Sequence, residues 1–294
     1  MIRCRPDGDA MLTFAGDVAA ADAPWAPLSE HKLRGLSGTV PARIAAWCVD
    51  DAIVAVAVAA EHVGAGGDHH FAVEAALLPS ERSVAGDLAL IGAVKTWLGE
   101  TDHTFWTWRP GQIEALEAEG YLEVRAIVRM ERPLPAIARR PLPEVTIDLF
   151  LEGEDNAALV ALNNAAFSGH RENDNFTVAE LRARMALPWF DPAGIITARL
   201  DGELVGFCWT KLHSGEGVGE IYIVAVAPHA RGRGIGRAIV LEALRDLHER
   251  SDADVGMLWV EAANIGARSL YRQLGFSDVL TNREFVGDRA QPNS

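Results

Sequence analysis

Residues 219–247, GEIYIVAVAPHARGRGIGRAIVLEALRDL, decide the fold of this chain. The segment from Glu220 to Ala227 is apolar and β-branched, which predicts a buried strand that ends at Pro228 because proline has no N–H to donate to a sheet. From about Gly234 onward the pattern predicts an amphipathic helix. The glycine-rich turn between strand and helix points successive backbone N–H groups at the positive end of the helix, so we predict a phosphate site there. The apolar residues at helical spacing are Val240, Ala243, Leu244 and Leu247.

The glycines of this turn indicate which phosphate ligand it binds. Arg237 occupies the third glycine position of a G-x-G-x-x-G motif, and no Lys-Ser/Thr pair follows, so neither the dinucleotide fingerprint nor the P-loop fits. The pattern that fits is R-x-x-G-x-G, from Arg231 through Gly234 to Gly236. This pattern after a strand resembles the pyrophosphate loop of the GNAT acetyltransferase superfamily, which implies acetyl-CoA as co-substrate. The alternative is a glycine-rich helix start with exposed arginines.

Composition excludes several classes of protein. Hydrophobic residues make up 49% of the 294 residues and charged residues 23%, as in ordinary globular proteins. The net charge of −14 argues against a nucleic-acid partner, because binding phosphates needs a basic face. The longest apolar run, residues 52–60, is too short to span a bilayer, and we expect no signal peptide and no membrane partner.

Cysteine usage points to a reducing compartment. Cys4, Cys48 and Cys208 are few and widely spaced, so we expect no disulfide framework and no metal site. We therefore expect a protein of the cytoplasm, and a monomer. The eight tryptophans show no stacking pattern in the sequence.

Strand and helix patterns alternate along the whole chain, which predicts an α/β fold with a mixed sheet. Four prolines fall within residues 133–143 and predict a stiff connector. We place a first domain at residues 1–138, a linker at 139–145 and a second domain at 146–294. The order of elements repeats in the two halves, so we predict two tandem GNAT domains.

The first half lacks the residues that mark the second. When Pro79 is aligned with Pro228, Arg82 matches Arg231, but Ala85 and Asp87 replace the glycines at 234 and 236. A carboxylate near a pyrophosphate disfavours binding by repulsion and by bulk. We therefore predict that the first domain is a degenerate copy without chemistry.

Acetyl transfer to an amine needs a base for the amine and an acid for the departing thiolate. Glu220 lies at the start of the central strand and is our candidate base, acting directly or through a water. Because the pKa of an α-amine is about 8, the amine loses its proton readily near neutral pH, and the base needs to supply little driving force. The alternative for Glu220 is an exposed charge at a strand start.

Tyr271 is the candidate acid. It lies in N-I-G-A-R-S-L-Y-R-Q-L-G-F, a predicted helix capped by Asn264 and ended by Gly275. This segment resembles the second CoA-contacting motif of the superfamily, which implies that Tyr271 faces the CoA sulfur; the alternative is a core tyrosine. The resemblance predicts a larger set of acetyl-CoA contacts: Val224, Ala225, Val226, Arg231, Gly232, Arg233, Gly234, Ile235, Gly236, Arg237, Asn264, Ile265, Gly266, Ala267, Arg268 and Ser269.

A closer resemblance lies outside the acetyl-CoA motifs. The segments NNAAFSGH (163–170), WFDPAG (189–194) and GFCWTKLH (206–213) are similar to the mycothiol synthase family, tandem GNAT proteins with a degenerate first half. The resemblance implies acetyl transfer to the cysteinyl amine of Cys-GlcN-Ins, with Glu220 as base and Tyr271 as acid. It also implies a polar pocket for this pseudo-disaccharide. The substrate contacts predicted in this way are Glu30, Glu172, Lys211, Glu220 and Trp259, the last of which replaces a more usual tyrosine.

Three functions remain compatible with the sequence. One is the acetylation of Cys-GlcN-Ins, and a second is acetylation of another small amine, such as an aminoglycoside or a peptide amine. A third is an acyl-CoA-sensing module without catalysis. The presence of Glu220 and Tyr271 argues against the third, and the acceptor-side segments argue against the second.

Overall fold

The computed structural model describes residues 2–4, 6–22, 25–63, 69–136, 142, 144–168, 176–213 and 215–287. The chain divides into two compact units, Met1–Ala126 with Thr281–Ser294 and Ile127–Leu280. The boundary after Ala126 falls within the strand Leu122–Pro133, and the end of the last strand also belongs to the first unit. The predicted division at residues 139–145 stays a prediction. Much of the predicted linker, at residues 139–141 and 143, lies outside the described residues.

Helices and strands alternate through both units, which confirms the predicted mixed α/β class. The elements in chain order are β1 (Ile2–Cys4), α1 (Gly8–Ala21), α2 (Glu30–Leu36), β2 (Ala42–Val49), β3 (Ala52–Val63), β4 (His69–Leu77), α3 (Val84–Leu98), β5 (His103–Thr107), α4 (Pro110–Ala118), β6 (Leu122–Pro133), β7 (Val145–Leu149), α5 (Asn156–Ala166), α6 (Val178–Met185), β8 (Ile195–Leu200), β9 (Glu203–His213), β10 (Val218–Val226), α7 (Ile235–Arg250), β11 (Val255–Glu261), α8 (Ile265–Gln273) and β12 (Ser277–Val286).

The first unit has a sheet in the order β1-β2-β3-β4-β5, followed by the end of β12. All neighbours are antiparallel except β4 and β5, which are parallel over residues 71–73 and 103–105. The β2–β3 hairpin turns at Asp50 and Asp51, whose φ angles of 47° and 64° lie in the left-handed region that aspartate tolerates.

The second unit has a sheet in the order β6-β11-β10-β9-β8-β7. Here β10 and β11 are parallel and the other neighbours are antiparallel. Helix α7 packs closely on one face, since a Cβ added to Gly219 would lie 2.9 Å from Leu247 and one added to Gly256 would lie 2.7 Å from Leu244. Residues adjacent to these glycines therefore face away from α7, because side chains alternate along a strand.

Two of the three cysteines contradict the sequence-based expectation. Cys4 and Cys48 form a disulfide, so the prediction that the cysteines stay unpaired is wrong for them. The cause is the antiparallel pairing of β1 with β2, which brings Cα atoms 44 residues apart in sequence to within 5.9 Å. Cys208 in β9 is buried and keeps a free thiol.

The described helices include none with the length and apolar character needed to cross a membrane. Within the same residues, no group of three or more His, Cys, Asp or Glu side chains is arranged to hold a metal ion.

Candidate active site

The two parallel strands at the centre of the second unit separate along their length. Residues 218–221 of β10 pair with residues 255–258 of β11, and the described chain shows no pairing between the two strands beyond that point. The register of β10 against β9 also shifts between Ile221 and Ile223, which marks a bulge at Tyr222. The peptide groups of Val224, Ala225 and Val226 on the β11 side are therefore available to an extended ligand.

The turn after β10 presents backbone donors at the start of α7. Gly232 and Gly234 have φ angles of 79° and 81°, which side-chain-bearing residues rarely adopt. Gly234 is the N-cap of α7, and within the described part of the chain no side-chain hydrogen bond caps this helix. The first N–H groups of a helix have no partner within it, so they can donate to an anion.

The arginines of this turn contact the protein itself. The Nε and Nη2 atoms of Arg231 donate to the carbonyl oxygens of Val226 (3.4 Å) and Ala166 (2.8 Å). Arg233 forms an exposed ion pair of 2.6 Å with Glu144. The guanidinium of Arg231 thus holds the turn against the end of β10 and the end of α5.

Helix α8 begins with the predicted cap. Oδ1 of Asn264 accepts a hydrogen bond from the N–H of Ala267 at 3.1 Å. Arg268, a predicted acetyl-CoA contact, donates to the carbonyl oxygen of Ala262 (2.9 Å) and to Asp278 (2.6 Å). The side chain of Ile265 is 67% exposed. The start of α8 is therefore held by its own residues and by β12.

Tyr271, in the second turn of α8, is 6% exposed. Burial, with a smaller contribution from the neighbouring Cys208, raises the pKa of its phenol well above the usual value. The ring packs against Phe276, with 5.9 Å between ring centroids. Such a phenol stays protonated at any physiological pH and is thus available as a proton donor.

Glu220 lies in β10 directly opposite Lys211 of β9 and beside Met257 of β11. It follows Gly219, so its side chain lies on the face away from α7. It is 9% exposed, as is Lys211. Its Oε2 lies 2.8 Å from Nε2 of His213, two residues beyond Lys211 on the same strand. The structure therefore places a carboxylate, a lysine and a histidine on one face of the sheet.

An aromatic cluster, formed by Trp189, Phe190, Trp209 and Tyr222, lies beside these charged residues. The centroids of Trp189 and Trp209 are 6.0 Å apart and their planes are tilted by 47°, a contact that the sequence pattern did not indicate. Nζ of Lys211 lies 5.1 Å from the centroid of the Trp189 ring, within cation–π range. The indole N–H of the fully buried Trp209 has no hydrogen-bond partner among the described residues.

Of the other three predicted substrate contacts, only Trp259 has a described side chain. Trp259 lies in β11 two residues beyond Met257, hence on the same face as Glu220, and is 37% exposed. Glu30 is the first residue of α2, and its side chain lies outside the described residues, as does all of Glu172.

Sequence reasoning missed His213 and the aromatic cluster. His213 and most of the cluster lie in the segments 189–194 and 206–213, which resemble the family outside the acetyl-CoA motifs. Their positions relative to Glu220, however, depend on how the strands are paired. His213 alternates with Lys211 along β9, and this spacing of two was the signal that could have placed it beside Glu220.

Comparison with protein families places this site in a known group. The model of the acetyltransferase (GNAT) family matches residues 157–276. The mycothiol acetyltransferase of Streptomyces avermitilis is 46% identical over 156 residues, 52% of this chain and 50% of that protein. That of Thermomonospora curvata is 44% identical, covering 54% of each chain, so the matches span about half the length of these two relatives. The mycothiol acetyltransferase of Kineococcus radiotolerans is 33% identical over 287 residues, 95% of this chain and 92% of that protein.

Solved structures share the fold. A GCN5-related N-acetyltransferase from Sphaerobacter thermophilus superimposes with a TM-score of 0.75 at 22% identity, covering 97% of this chain and 94% of that one. A tandem GNAT protein from the clavulanic acid biosynthesis pathway gives a TM-score of 0.72 at 13% identity, covering 99% of both chains.

Proposed function

The chain belongs to the mycothiol acetyltransferase family, and on this premise we propose that it transfers the acetyl group of acetyl-CoA to the cysteinyl amine of Cys-GlcN-Ins, the last step of mycothiol biosynthesis. The observation that carries the proposal is the position of Glu220. It is a buried carboxylate beside the point where β10 and β11 separate, in a chain that matches a relative over 95% of its length.

Acetyl-CoA would bind along the second half of β10 and at the start of α7. Val224, Ala225 and Val226 offer peptide groups for sheet-like pairing with the pantetheine chain and for the thioester oxygen. The pyrophosphate would accept from the N–H groups of the first turn of α7, which no side chain of the described residues caps. The other predicted contacts, including Arg233, Arg237 and the start of α8 from Asn264 to Ser269, remain part of the proposal.

Glu220 would take one proton from the ammonium form of the acceptor. The neutral amine then forms a bond to the thioester carbon, and the C–S bond breaks. Since the pKa of an α-amine is about 8, Glu220 needs only to hold the amine neutral at the moment of attack. Its burial among non-charged neighbours on β11 keeps water away from the reacting atoms.

Tyr271 would donate its hydroxyl proton to the departing thiolate. A thiol has a pKa of about 8.5 and the phenol of Tyr271 a higher one, so this transfer alone is uphill. It becomes favourable when the phenol oxygen regains a proton from the newly bonded nitrogen in the same step. We therefore place the hydroxyl between the sulfur and that nitrogen as the C–S bond breaks.

The acceptor would bind on the sheet face that carries Lys211, Glu220 and Trp259. A pseudo-disaccharide presents hydroxyl groups, for which a charged pair and a flat indole are suitable partners. The Lys211 ammonium is oriented by the Trp189 ring. Glu30 and Glu172 complete the proposed set of substrate contacts on the strength of the family resemblance.

We further propose that the first unit is a degenerate GNAT domain without chemistry, and that the protein is a cytoplasmic monomer without a nucleic-acid partner or a metal cofactor. The net charge of −14 supports the lack of a nucleic-acid partner. Size-exclusion chromatography with light scattering checks the oligomeric state.

Thiol profiling of cells that lack the gene tests the proposed function. We expect loss of mycothiol and build-up of Cys-GlcN-Ins, both restored by the wild-type gene and not by the Glu220→Gln variant. Unchanged mycothiol in the deleted strain would contradict the proposal.

A further inference from the structure

Aromatic side chains follow Glu220 along the sheet, on the side where β10 and β11 separate. Tyr222 lies two residues beyond Glu220 on β10, at the bulge. On β9, Trp209 lies two residues before Lys211, the residue directly opposite Glu220. Side chains two residues apart on a strand point to the same face, and the two rings meet there nearly perpendicular, with 5.8 Å between centroids. The proposed base therefore has an aromatic pair between it and the strand segment proposed to bind acetyl-CoA.

Trp189 adds a third ring beside this pair. Its centroid lies 5.2 Å from that of Tyr222 and 6.0 Å from that of Trp209. Trp209 is fully buried, whereas Trp189 and Tyr222 are half-buried, and all three pack in or against the hydrophobic core of the second unit. Because protein cores are densely packed, the aromatic cluster presents two accessible rings on a rigid apolar backing.

The segment that carries Trp189 is held in place by the protein itself. Two residues later, Asp191 forms an ion pair of 2.7 Å with Arg250 of α7. The carbonyl oxygen of Gly194 accepts a buried hydrogen bond of 2.9 Å from Oγ1 of Thr210 in β9. These contacts tie the segment to α7 and to β9, so the ring of Trp189 is positioned before any ligand binds.

The proposed acceptor has two chemically different groups beside its amine. In a cysteinyl group, the carbon that bears the nitrogen also bears a methylene with a thiol and a carbonyl that leads to the sugar. The sugar hydroxyls suit polar partners such as Lys211. A thiol-bearing methylene is small, apolar and polarisable, and divalent sulfur contacts aromatic rings favourably at about 5 Å. With the nitrogen at Glu220, the thiol side therefore fits the aromatic cluster.

We propose that Trp189 and Tyr222 form the subsite for the thiol-bearing side chain of the acceptor, and that they select cysteinyl amines over seryl amines. This inference rests on the proposed function, in which Glu220 receives the proton of the cysteinyl amine. A hydroxyl in place of the thiol would give up hydrogen bonds to water when it meets the rings. Apolar pockets distinguish such near-isosteres by about 10- to 100-fold. The two residues thus contact the substrate and determine specificity without touching the bonds that change.

The ratio of kcat/KM for a cysteinyl amine to that for the matched seryl amine tests the subsite. Two pairs are compared: Cys-GlcN-Ins with Ser-GlcN-Ins, and the sugar-free pair of cysteinamide with serinamide. Comparing the ratio between wild type and Trp189→Ala cancels the intrinsic reactivity of the two amines. The matched control is Trp97→Ala in the first unit, because Trp97 meets the buried Trp47 edge-on at 6.2 Å and has the Arg43 guanidinium 5.7 Å from its ring centroid. Thermal unfolding verifies that each variant is folded.

For Trp189→Ala we expect both ratios to fall by about tenfold, through a lower kcat/KM for the cysteinyl amine, with the KM for acetyl-CoA unchanged. Tyr222→Ala should have the same effect. Trp189→Phe and Tyr222→Phe keep an aromatic ring at each position, so their ratios should stay within about threefold of the wild-type values. Trp97→Ala should leave both ratios at the wild-type values.

Ratios that stay at the wild-type values in folded Trp189→Ala and Tyr222→Ala would overturn the subsite. If Trp189→Ala weakens both sugar-bearing acceptors equally and leaves the cysteinamide ratio unchanged, the ring binds the sugar instead, which also contradicts the proposal. A different result separates the subsite from the proposed function. If wild type fails to acetylate Cys-GlcN-Ins but has a preference for cysteinamide that Trp189→Ala removes, the proposed function is wrong and the subsite is confirmed.

Discussion

Each unit has an arginine in the turn between its central strand and the next helix, Arg82 after β4 and Arg231 after β10. In both, Nε donates to the carbonyl oxygen of the residue five positions earlier, at 3.1 Å in the first unit and 3.4 Å in the second. The rest of the guanidinium also binds within its own unit, at 2.7 Å to Asp22 or 2.8 Å to Ala166. The arginine therefore has a structural role that does not require a ligand.

The N-termini of the helices that follow these turns, α3 and α7, differ in how they are capped. In the first unit Ser83 caps α3, and its Oγ accepts from the N–H of Gly86 at 3.0 Å. In the second unit Gly234 precedes α7, and no side chain of the described residues caps that helix. The comparison shows that the arginine holds the shape of the turn in both units, whereas the serine cap is present only in the first.

Asp87 completes the contrast. It lies in the first turn of α3 with a side chain 3% exposed, and it pairs at 3.2 Å with Arg109, whose side chain is 8% exposed. A negative charge in this position disfavours an anion, and its removal would leave Arg109 buried without its partner. In the first unit the first turn of α3 thus takes part in an internal ion pair.

The largest effect is expected when a carboxylate is placed at the N-terminus of α7, since Asp87 shows such a charge in the first turn of α3. Gly234→Asp should leave no measurable turnover and weaken acetyl-CoA binding about 10³-fold, since a like-charge contact costs several kcal/mol and each 1.4 kcal/mol is about tenfold. Calorimetric titration with acetyl-CoA measures the affinity. Gly234→Asn is the matched control, because asparagine tolerates a positive φ and adds no charge. If the aspartate variant binds acetyl-CoA normally, the loop is not the pyrophosphate site.

Next in size is the loss of the proposed acid. Tyr271→Phe keeps the ring and its packing, and kcat should fall by roughly 10²–10⁴ with acetyl-CoA affinity little changed. The control is Tyr121→Phe in the first unit, which loses a 2.8 Å hydrogen bond to His103 and should cost stability of about 1 kcal/mol without changing kcat. A Tyr271→Phe variant with near-normal kcat would remove Tyr271 from the mechanism.

A smaller, pH-dependent effect is expected for the base. Glu220→Gln should lose activity near neutral pH, and the defect should shrink as pH rises toward about 9, past the pKa of the amine. The Tyr271→Phe defect should stay constant over this range, because burial keeps the phenol protonated in the wild type. Steady-state kinetics across pH compare the two variants. Parallel pH profiles would show that the division of roles between acid and base is wrong.

The smallest effect on catalysis is expected in the first unit. Asp87→Ala leaves Arg109 buried without its partner and should lower the free energy of unfolding by about 3 kcal/mol, with kcat per folded molecule unchanged. Glu119→Ala removes a half-exposed ion pair with Lys95 and should cost less than about 1 kcal/mol. Denaturant unfolding measures both. A loss of kcat in folded Asp87→Ala would mean that the first unit takes part in the chemistry.

Most elements were predictable because their patterns are strong. The strand predicted to end at Pro228 ends at Val226, and the helix predicted from about Gly234 begins at Ile235. The helix predicted between Asn264 and Gly275 forms as Ile265–Gln273. The short strand Ile2–Cys4 and the mostly exposed strand Val145–Leu149 were missed, since neither has a core-facing pattern of useful length. A helix or strand can be predicted from its own sequence only where apolar residues recur at the spacing that places them on one buried face.

Contacts between distant residues could not be predicted in the same way. The residues of the proposed site were identified by motif, but the hydrogen bond between Glu220 and His213 depends on the register of β9 against β10. The disulfide of Cys4 with Cys48 depends in turn on the pairing of β1 with β2. No single segment encodes either register.

The acceptor specificity of the purified enzyme tests the central claim most directly. The measurement is kcat/KM with acetyl-CoA and three acceptors, namely Cys-GlcN-Ins, a kanamycin-type aminoglycoside and a lysine peptide, with mass spectrometry to identify the acetylated amine. A site that binds the hydroxyl groups of a pseudo-disaccharide should favour Cys-GlcN-Ins by at least about 10³-fold, with acetylation at the cysteinyl amine. Comparable values for the three acceptors would contradict the account and favour a general small-amine acetyltransferase.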